Sequence, residues 1–189
     1  MSLGSKNRCR RETPGREKYM DIVFIGRMAE SAALKTAREK KEELAKVYPS
    51  SYLMNGISAL EAEFAGEDVL MDALRQSVYM NVISGGSVAD ALWRTGEELG
   101  KGLRVNRDDI PVAQFAIEMA EVDGRDPIKS DSTGCVICVT DNAGPLRAGL
   151  KEKGITCAVI GYLTDDNDKC IMNGEIKSFL TKPDITDSK

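Results

Sequence analysis

Val82-Ile83-Ser84-Gly85-Gly86-Ser87-Val88-Ala89-Asp90 is the stretch on which the reading of the fold turns. A β-branched run closes on two glycines, and a helix opens directly after them. Ser87 is placed to accept a hydrogen bond from the Asp90 N–H. Asp90 in turn puts negative charge in the first helical turn, where the macrodipole favours it. Strand, glycine pair and capped helix in that order predict a sheet edge running into the mouth of a helix. At such a junction the glycines leave N–H groups unshielded where positive potential is concentrated. Ser84, Gly85, Gly86 and Ser87 are therefore the candidate residues for facing a phosphate or another anion. A Gly-Gly pair also serves a plain reversal of the chain, and the sequence supports both readings.

A chain of 189 residues suffices to bury a core, and one domain is the natural count. Hydrophobic residues at 42% and charged residues at 30% describe an ordinary globular chain. No apolar run reaches the length of a membrane span and no signal peptide is legible, so no membrane partner and a cytoplasmic location are expected. Histidine is absent, which removes Ser-His-Asp and Cys-His catalysis and histidine metal ligation. Cys9, Cys135, Cys138, Cys157 and Cys170 are odd in number and irregular in spacing, so reduced thiols are expected.

The net charge of −4 is uneven. Residues 1–20 hold six cations and two anions, net +4, which leaves −8 on the remainder. This divides the chain into a basic flexible leader over 1–20, partly vector-derived from the look of Met1-Ser-Leu-Gly-Ser5, and one domain over 21–189. A basic arm at Arg8–Arg16 has the charge for nucleic acid. Aromatics at 5% supply few stacking platforms, so nucleic acid is not an expected partner.

Asp21-Ile-Val-Phe-Ile-Gly26 reads as a buried strand, and Met28 to Val47 as one amphipathic helix with Lys35–Glu39, Arg38–Glu42 and Glu42–Lys46 pairs. Tyr48-Pro49 stops it. Helices follow over Ile57 to about Ala65 and Asp68–Gln76, the latter with Val69, Leu70, Ala73 and Leu74 facing inward. Ser77–Ile83 is a strand, and the helix after the glycines runs to Gly100. Leu103–Asn106 is a strand, and Pro111 takes the first position of a helix to about Glu121. Cys135–Thr140 has a central-strand pattern. Asn142–Lys153 is a helix, Ile155–Leu163 a strand, and Asn173-Gly174 turns a hairpin of Cys170-Ile-Met and Glu175-Ile-Lys. The order predicts an α+β domain, one mixed β-sheet backed by helices.

Four segments together resemble a known family: Gly85-Gly86-Ser-Val-Ala-Asp-Ala-Leu-Trp93, Arg104-Val-Asn-Arg-Asp-Asp-Ile-Pro111, Ser132-Thr-Gly-Cys-Val-Ile137 and Leu150-Lys-Glu-Lys-Gly-Ile-Thr-Cys-Ala-Val-Ile-Gly161. From about Asp21 to Ile185 the chain is similar to the C-terminal domain of the aminoimidazole ribonucleotide (AIR) synthase superfamily, most like the branch of hydrogenase expression/formation proteins. The resemblance implies a domain that works beside an N-terminal one, which supplies the dimer interface, the metal-binding acids and much of the ATP site. That domain is too large for this chain to contain. ATP-Mg is then implied only together with a complementary domain or subunit, and the expected partners are a second copy of the chain or such an N-terminal domain. The role near the nucleotide phosphates falls on Ser84, Gly85 and Gly86. Where the family turn reads Asp-Pro-Thr-x-Gly-Gly, this chain has Asn81-Val82-Ile83-Ser84-Gly85-Gly86, an amide in place of the acid. The maturation proteins carry a terminal cysteine, whereas this chain ends Asp184-Ile-Thr-Asp-Ser-Lys189, so their one-carbon chemistry is not expected here.

The other constellations read as structure. Cys135 and Cys138 lie three apart on a strand, hence on opposite faces, and are expected as buried thiols rather than a redox or zinc pair. Asp165-Asp166-Asn167-Asp168 lacks the glycine and distant glutamate of a calcium loop and is expected as a solvated turn. Asp108-Asp109 reads as a helix approach, and Trp93 as packing on a neighbour. No catalytic and no metal-binding residue is assigned. Two functions follow: the C-terminal half of an ATP-dependent, AIR synthase-like protein, inactive alone, or a degenerate relative that serves as a non-catalytic interaction module.

Overall fold

Asp21–Ile25 forms β1, and its five apolar-rich residues have neighbours on both edges and both faces. Ile22 and Phe24 point into one core cluster, Val23 and Ile25 into another. A strand covered on both sides needs a continuous apolar run rather than an alternating one. The computed structural model describes residues 19–61 and 66–183. The basic leader, apart from Tyr19 and Met20, lies outside these residues. So do Cys9, the arm at Arg8–Arg16, the last part of the Ile57–Ala65 helix and the chain end from residue 184.

Along the chain follow α1 (Glu30–Glu39), α2 (Lys41–Leu44), α3 (Ser50–Glu61), α4 (Glu67–Arg75), β2 (Tyr79–Val82), α5 (Val88–Leu99), β3 (Gly102–Asn106), α6 (Gln114–Val122), β4 (Val136–Thr140), α7 (Ala143–Glu152), β5 (Cys157–Thr164), β6 (Lys169–Asn173) and β7 (Ile176–Phe179). The strands make one seven-stranded sheet in the order β2-β4-β1-β5-β3-β6-β7. Every pairing is antiparallel except β3 with β6. The architecture is the mixed-sheet α+β domain that the element order predicts. α5 packs its buried Val88, Ala91 and Leu92 on the face that also holds Leu103, Ile137 and Ile160. α4 and α7 cover the opposite face through Val69, Ala73, Leu146 and Leu150. A third cluster joins α1, α2, α3 and α6 around Ala33, Leu53, Phe115 and Met119.

The register of β5 against β1 slips between Ile22 and Val23. Gly161 sits at this irregularity, and a Cβ there would lie 2.0 Å from the Arg104 carbonyl oxygen. The close approach of β3 and β5 thus depends on the missing side chain.

Several local expectations are corrected. The single helix over Met28–Val47 breaks at Lys40 into α1 and α2. Lys40 Nζ binds Asp123 (2.8 Å) while Thr36 Oγ1 donates to the same carboxylate, so the end of α1 is tied to the end of α6 and not to its own next turn. Pro49 ends one helical region and also opens the next, its carbonyl accepting the Tyr52 N–H, so α3 starts seven residues earlier than the periodicity suggests. Pro111 does not begin a helix. Its carbonyl accepts the Met28 N–H and Val112 bridges Met28 in parallel, which holds the segment extended until α6 starts at Gln114. The closing hairpin turns through Gly174-Glu175, because Asn173 and Ile176 are paired across it. Leu74 is exposed, not inward-facing.

Candidate functional site

The β2–α5 junction is pinned at both ends by backbone hydrogen bonds. On the strand side, Ile83 N–H donates to Cys135 C=O (2.9 Å) and Gly134 N–H donates to Ile83 C=O (2.8 Å). On the helix side, Ser132 N–H donates to Gly86 C=O (2.9 Å), and Ser87 bridges Asp131. Between these anchors Ser84, Gly85 and Gly86 form an exposed arc. Among the described residues none accepts a hydrogen bond from the N–H groups of these three. Gly86 has φ +98°, a conformation that L side chains rarely adopt, which accounts for glycine there.

Ser87 is buried and forms a complete capping box. Its Oγ accepts the Asp90 N–H (3.1 Å) and donates to Asp90 Oδ2 (2.8 Å), while the Ser87 N–H donates to the same oxygen (3.3 Å). The cap is the one expected, but it has a consequence for the candidate set. The Ser87 amide is already engaged by the Asp90 carboxylate, so only Ser84, Gly85 and Gly86 have N–H groups to offer. Asp90 also lies beside Gly86, its Oδ2 3.5 Å from where a Cβ would stand.

Asn81 stands near the end of β2. Its Nδ2 donates to Ala91 C=O and Thr95 Oγ1 (3.3 Å each), fastening β2 to α5. A carboxylate could not donate either bond. Next to the capping box lies a groove of about 400 Å³, with Ser87, Asp90, Arg107, Asp126, Lys129 and Asn173 in its lining. Arg107 grips Asp126 with two bonds (2.9 and 2.6 Å), and Asp126 Oδ1 also accepts the Ile128 N–H (3.1 Å). The groove thus sets Asp90 and Lys129 around an internally matched Arg–Asp pair.

The remaining candidates fall where their residue types direct them. Cys135, just before β4, belongs to the core cluster under α5, and Cys138 within β4 to the one under α4 and α7, on opposite sides of the sheet. Burial, with the nearby Glu30 charge, pushes the Cys135 thiol up to about 12, and burial pushes Cys138 up to about 11. Both are therefore protonated and unreactive near neutrality. In the 165–168 turn, Asp166 accepts from Thr164 Oγ1 (2.7 Å) and the Asp168 N–H (3.0 Å), and pairs with Arg104 (2.9 Å). Asp165 pairs with Lys101, and Asp168 with Lys177 (3.5 Å). Every acid of this turn has a cation partner in the protein, as a solvated turn would. Asp108-Asp109 lie in a 3₁₀ turn (Arg107–Asp109) capped by Asn106 rather than at the start of α6. Trp93 lies under Lys169 Nζ, 5.5 Å from the ring centroid.

The family described as AIR synthase related protein, C-terminal domain, matches residues 67–172, more than half of the chain and all of the junction just described. The chain belongs to this AIR synthase-related family. Solved structures agree in fold. Hydrogenase maturation protein HypE from E. coli superposes with a TM-score of 0.68 at 17% identity, over 90% of this chain and 52% of that one. HypE in complex with ATP gives 0.64 at 14%, over 87% and 50%. Thiamine-monophosphate kinase from Stenotrophomonas maltophilia K279a gives 0.64 at 14%, over 83% and 51%. At these identities the likeness is one of fold, and the AIR synthase-related chain spans about half the length of each protein. No curated protein matches it. Among the described residues no helix is long and apolar enough to cross a membrane.

One part of the junction lay beyond the reach of local sequence reading. The loop Ser130–Gly134 anchors the arc, yet it is some 45 residues from Gly86 and its serines follow no motif of spacing. Only the resemblance singled out Ser132-Thr-Gly. Arg107 and Lys129 in the groove were equally invisible, since charge runs at distant positions say nothing of a shared cleft.

Proposed function

We propose that this chain is the C-terminal half of a nucleotide site, in which Ser84, Gly85 and Gly86 turn their N–H groups toward phosphate oxygens of ATP-Mg and a complementary domain or second subunit completes the pocket. The observation that supports this reading is the exposed arc itself: three successive N–H groups beside a helix mouth, held by bonds on either side rather than by bonds of their own. HypE, a structure of the same fold, has been solved with ATP. Because this chain spans about half of such relatives, catalysis is assigned to the completed assembly. No catalytic residue is placed on this half.

The second reading is a non-catalytic assembly module. It is favoured by the Asp90 carboxylate beside Gly86, whose charge opposes an anion, and by Asn81, which spends its donors on α5. Thermal melting with and without millimolar ATP-Mg separates the two. A ligand at five times its Kd raises stability by about 1 kcal/mol, or about 2–4 °C in a chain of this size. The nucleotide reading expects the arc alone to keep weak affinity for ATP-Mg, and hence that rise in the wild type at millimolar concentration. An unmoved melting temperature in the wild type rejects it in favour of the module.

A further inference from the structure

Ser132 is 1% exposed and bonded in three directions. Its N–H donates to Gly86 C=O (2.9 Å), its Oγ donates to Ser130 C=O (3.1 Å), and the same Oγ accepts the Ala29 N–H (2.9 Å). Ala29 precedes α1 and, among the described residues, is the non-glycine residue with positive φ, at 65°. Such a backbone persists only where its surroundings hold it. The neighbouring bonds run the same way: Ala32 N–H donates to Asp131 C=O (3.2 Å), and Ser31 Oγ to Thr133 C=O (2.9 Å). The loop 130–134 is therefore laced to the start of α1 on one side and to the glycine arc on the other.

We infer that Ser132 is a positioning residue, one buried hydroxyl that fixes the Gly86 end of the arc, and so the direction of the Gly85 and Gly86 N–H groups, against the start of α1. Its functional use rests on the proposed anion-facing role of the arc, but its geometry does not. Removing the hydroxyl strands the Ala29 N–H and the Ser130 carbonyl without partners in a buried place. A buried unpaired polar group is costly enough that the loop shifts to let water reach it. Because the Ser132 N–H belongs to that loop, the shift draws it away from Gly86 C=O. The Ser132–Gly86 bond on the helix side of the arc is then lost, while the Ile83–Cys135 and Ile83–Gly134 bonds remain.

The test follows backbone amide resonances and hydrogen exchange in the ¹⁵N-labelled full chain. Ser132→Ala is compared with Ser132→Thr, which keeps a hydroxyl, and with Tyr52→Phe, which removes the bond to Glu118 (2.6 Å) elsewhere in the fold. Ser132→Ala is expected to move the Gly85 and Gly86 resonances and to speed exchange at Ala29 and Ser132 by about tenfold or more. Gly154 and Gly174 stay in place, Ser132→Thr returns the arc toward the wild type, and Tyr52→Phe leaves it unchanged. Wild-type positions for Gly85 and Gly86 in Ser132→Ala, or equal movement in Tyr52→Phe, overturn the inference. If Ser132→Ala does not fold, exchange in the wild type decides: one shared opening gives Ala29 and Ser132 the same protection across denaturant, and protections differing more than about tenfold contradict it. Addition of ATP-Mg is read separately. A wild type blind to ATP-Mg removes the nucleotide role and leaves Ser132 as the arc's anchor, whereas binding with an unmoved arc in Ser132→Ala removes Ser132.

Discussion

Gly85 and Gly86 are adjacent, identical in composition and both exposed, yet alanine should act oppositely at the two. At Gly86 the backbone stands at φ +98°, and an added Cβ would meet Asp90 Oδ2 at 3.5 Å, an ordinary contact. The capping box can therefore stay intact, and the penalty is that of the backbone. Forcing an L residue into that region costs about 1–2 kcal/mol, which in a chain of this size lowers the melting temperature by about 2–8 °C. At Gly85 φ is not positive, and nothing lies within 4 Å of where a Cβ would stand. There alanine restricts only the unfolded chain, so Gly85→Ala should equal the wild type or exceed it by up to about 1 kcal/mol. Urea titration with unchanged slope and a shifted midpoint measures both. Equal losses at the two positions, or no loss at Gly86, would refute the conformation assigned to the arc.

Three further outcomes are expected. Ser87→Ala removes the acceptor for the Asp90 N–H and should destabilise the fold by about 1 kcal/mol in the same titration, with α5 amides exchanging faster at its first turn. Gly161→Ala puts a Cβ 2.0 Å from the Arg104 carbonyl and 2.8 Å from the Val105 Cα, both backbone, so strands must part. A loss of about 3 kcal/mol or failure to accumulate folded protein is expected, and a wild-type midpoint would contradict the close approach of β3 and β5. The third concerns pH. The folded state holds the Cys135 and Cys138 protons to about 12 and 11, whereas unfolded thiols release theirs near about 8.5, so this stabilisation is complete below that pH and is lost as pH rises toward the folded values. These two thiols should lower stability at pH 10 by about 4 kcal/mol relative to pH 8, and a Cys135→Ala, Cys138→Ala double variant should show a smaller fall. An identical fall in both proteins would count against the burial of these thiols.

Local pattern was sufficient wherever the chain answers to its near neighbours. The apolar run Asp21–Ile25, the Ser87–Asp90 cap with Gly100 ending α5, and the placement of Cys135 and Cys138 on opposite faces all depend on periodicity or on residues three or four apart. It failed where a distant partner decides. The break at Lys40 follows from Asp123, whose carboxylate also takes the Thr36 hydroxyl across 87 positions, and no helical periodicity registers that pull. Pro111 has the look of a helix start, but its carbonyl is claimed by Met28. The parallel pairing of β3 with β6 is likewise a matter of topology rather than composition. In the candidate site, the arc and its cap were legible, whereas the engagement of the Ser87 amide by Asp90 and the anchoring by Ser132 emerge only from the folded geometry.

In the proposed site the Gly85 and Gly86 N–H groups turn outward to meet phosphate oxygen. The most direct measurement of this is a titration of the ¹⁵N-labelled chain with ATP-Mg to millimolar concentration, following those two amides. Progressive, saturable movement of both, with the buried Ile83 and Ser87 amides moving less, is the result expected. Stationary Gly85 and Gly86 resonances, or movement centred on another surface of the sheet, would contradict it.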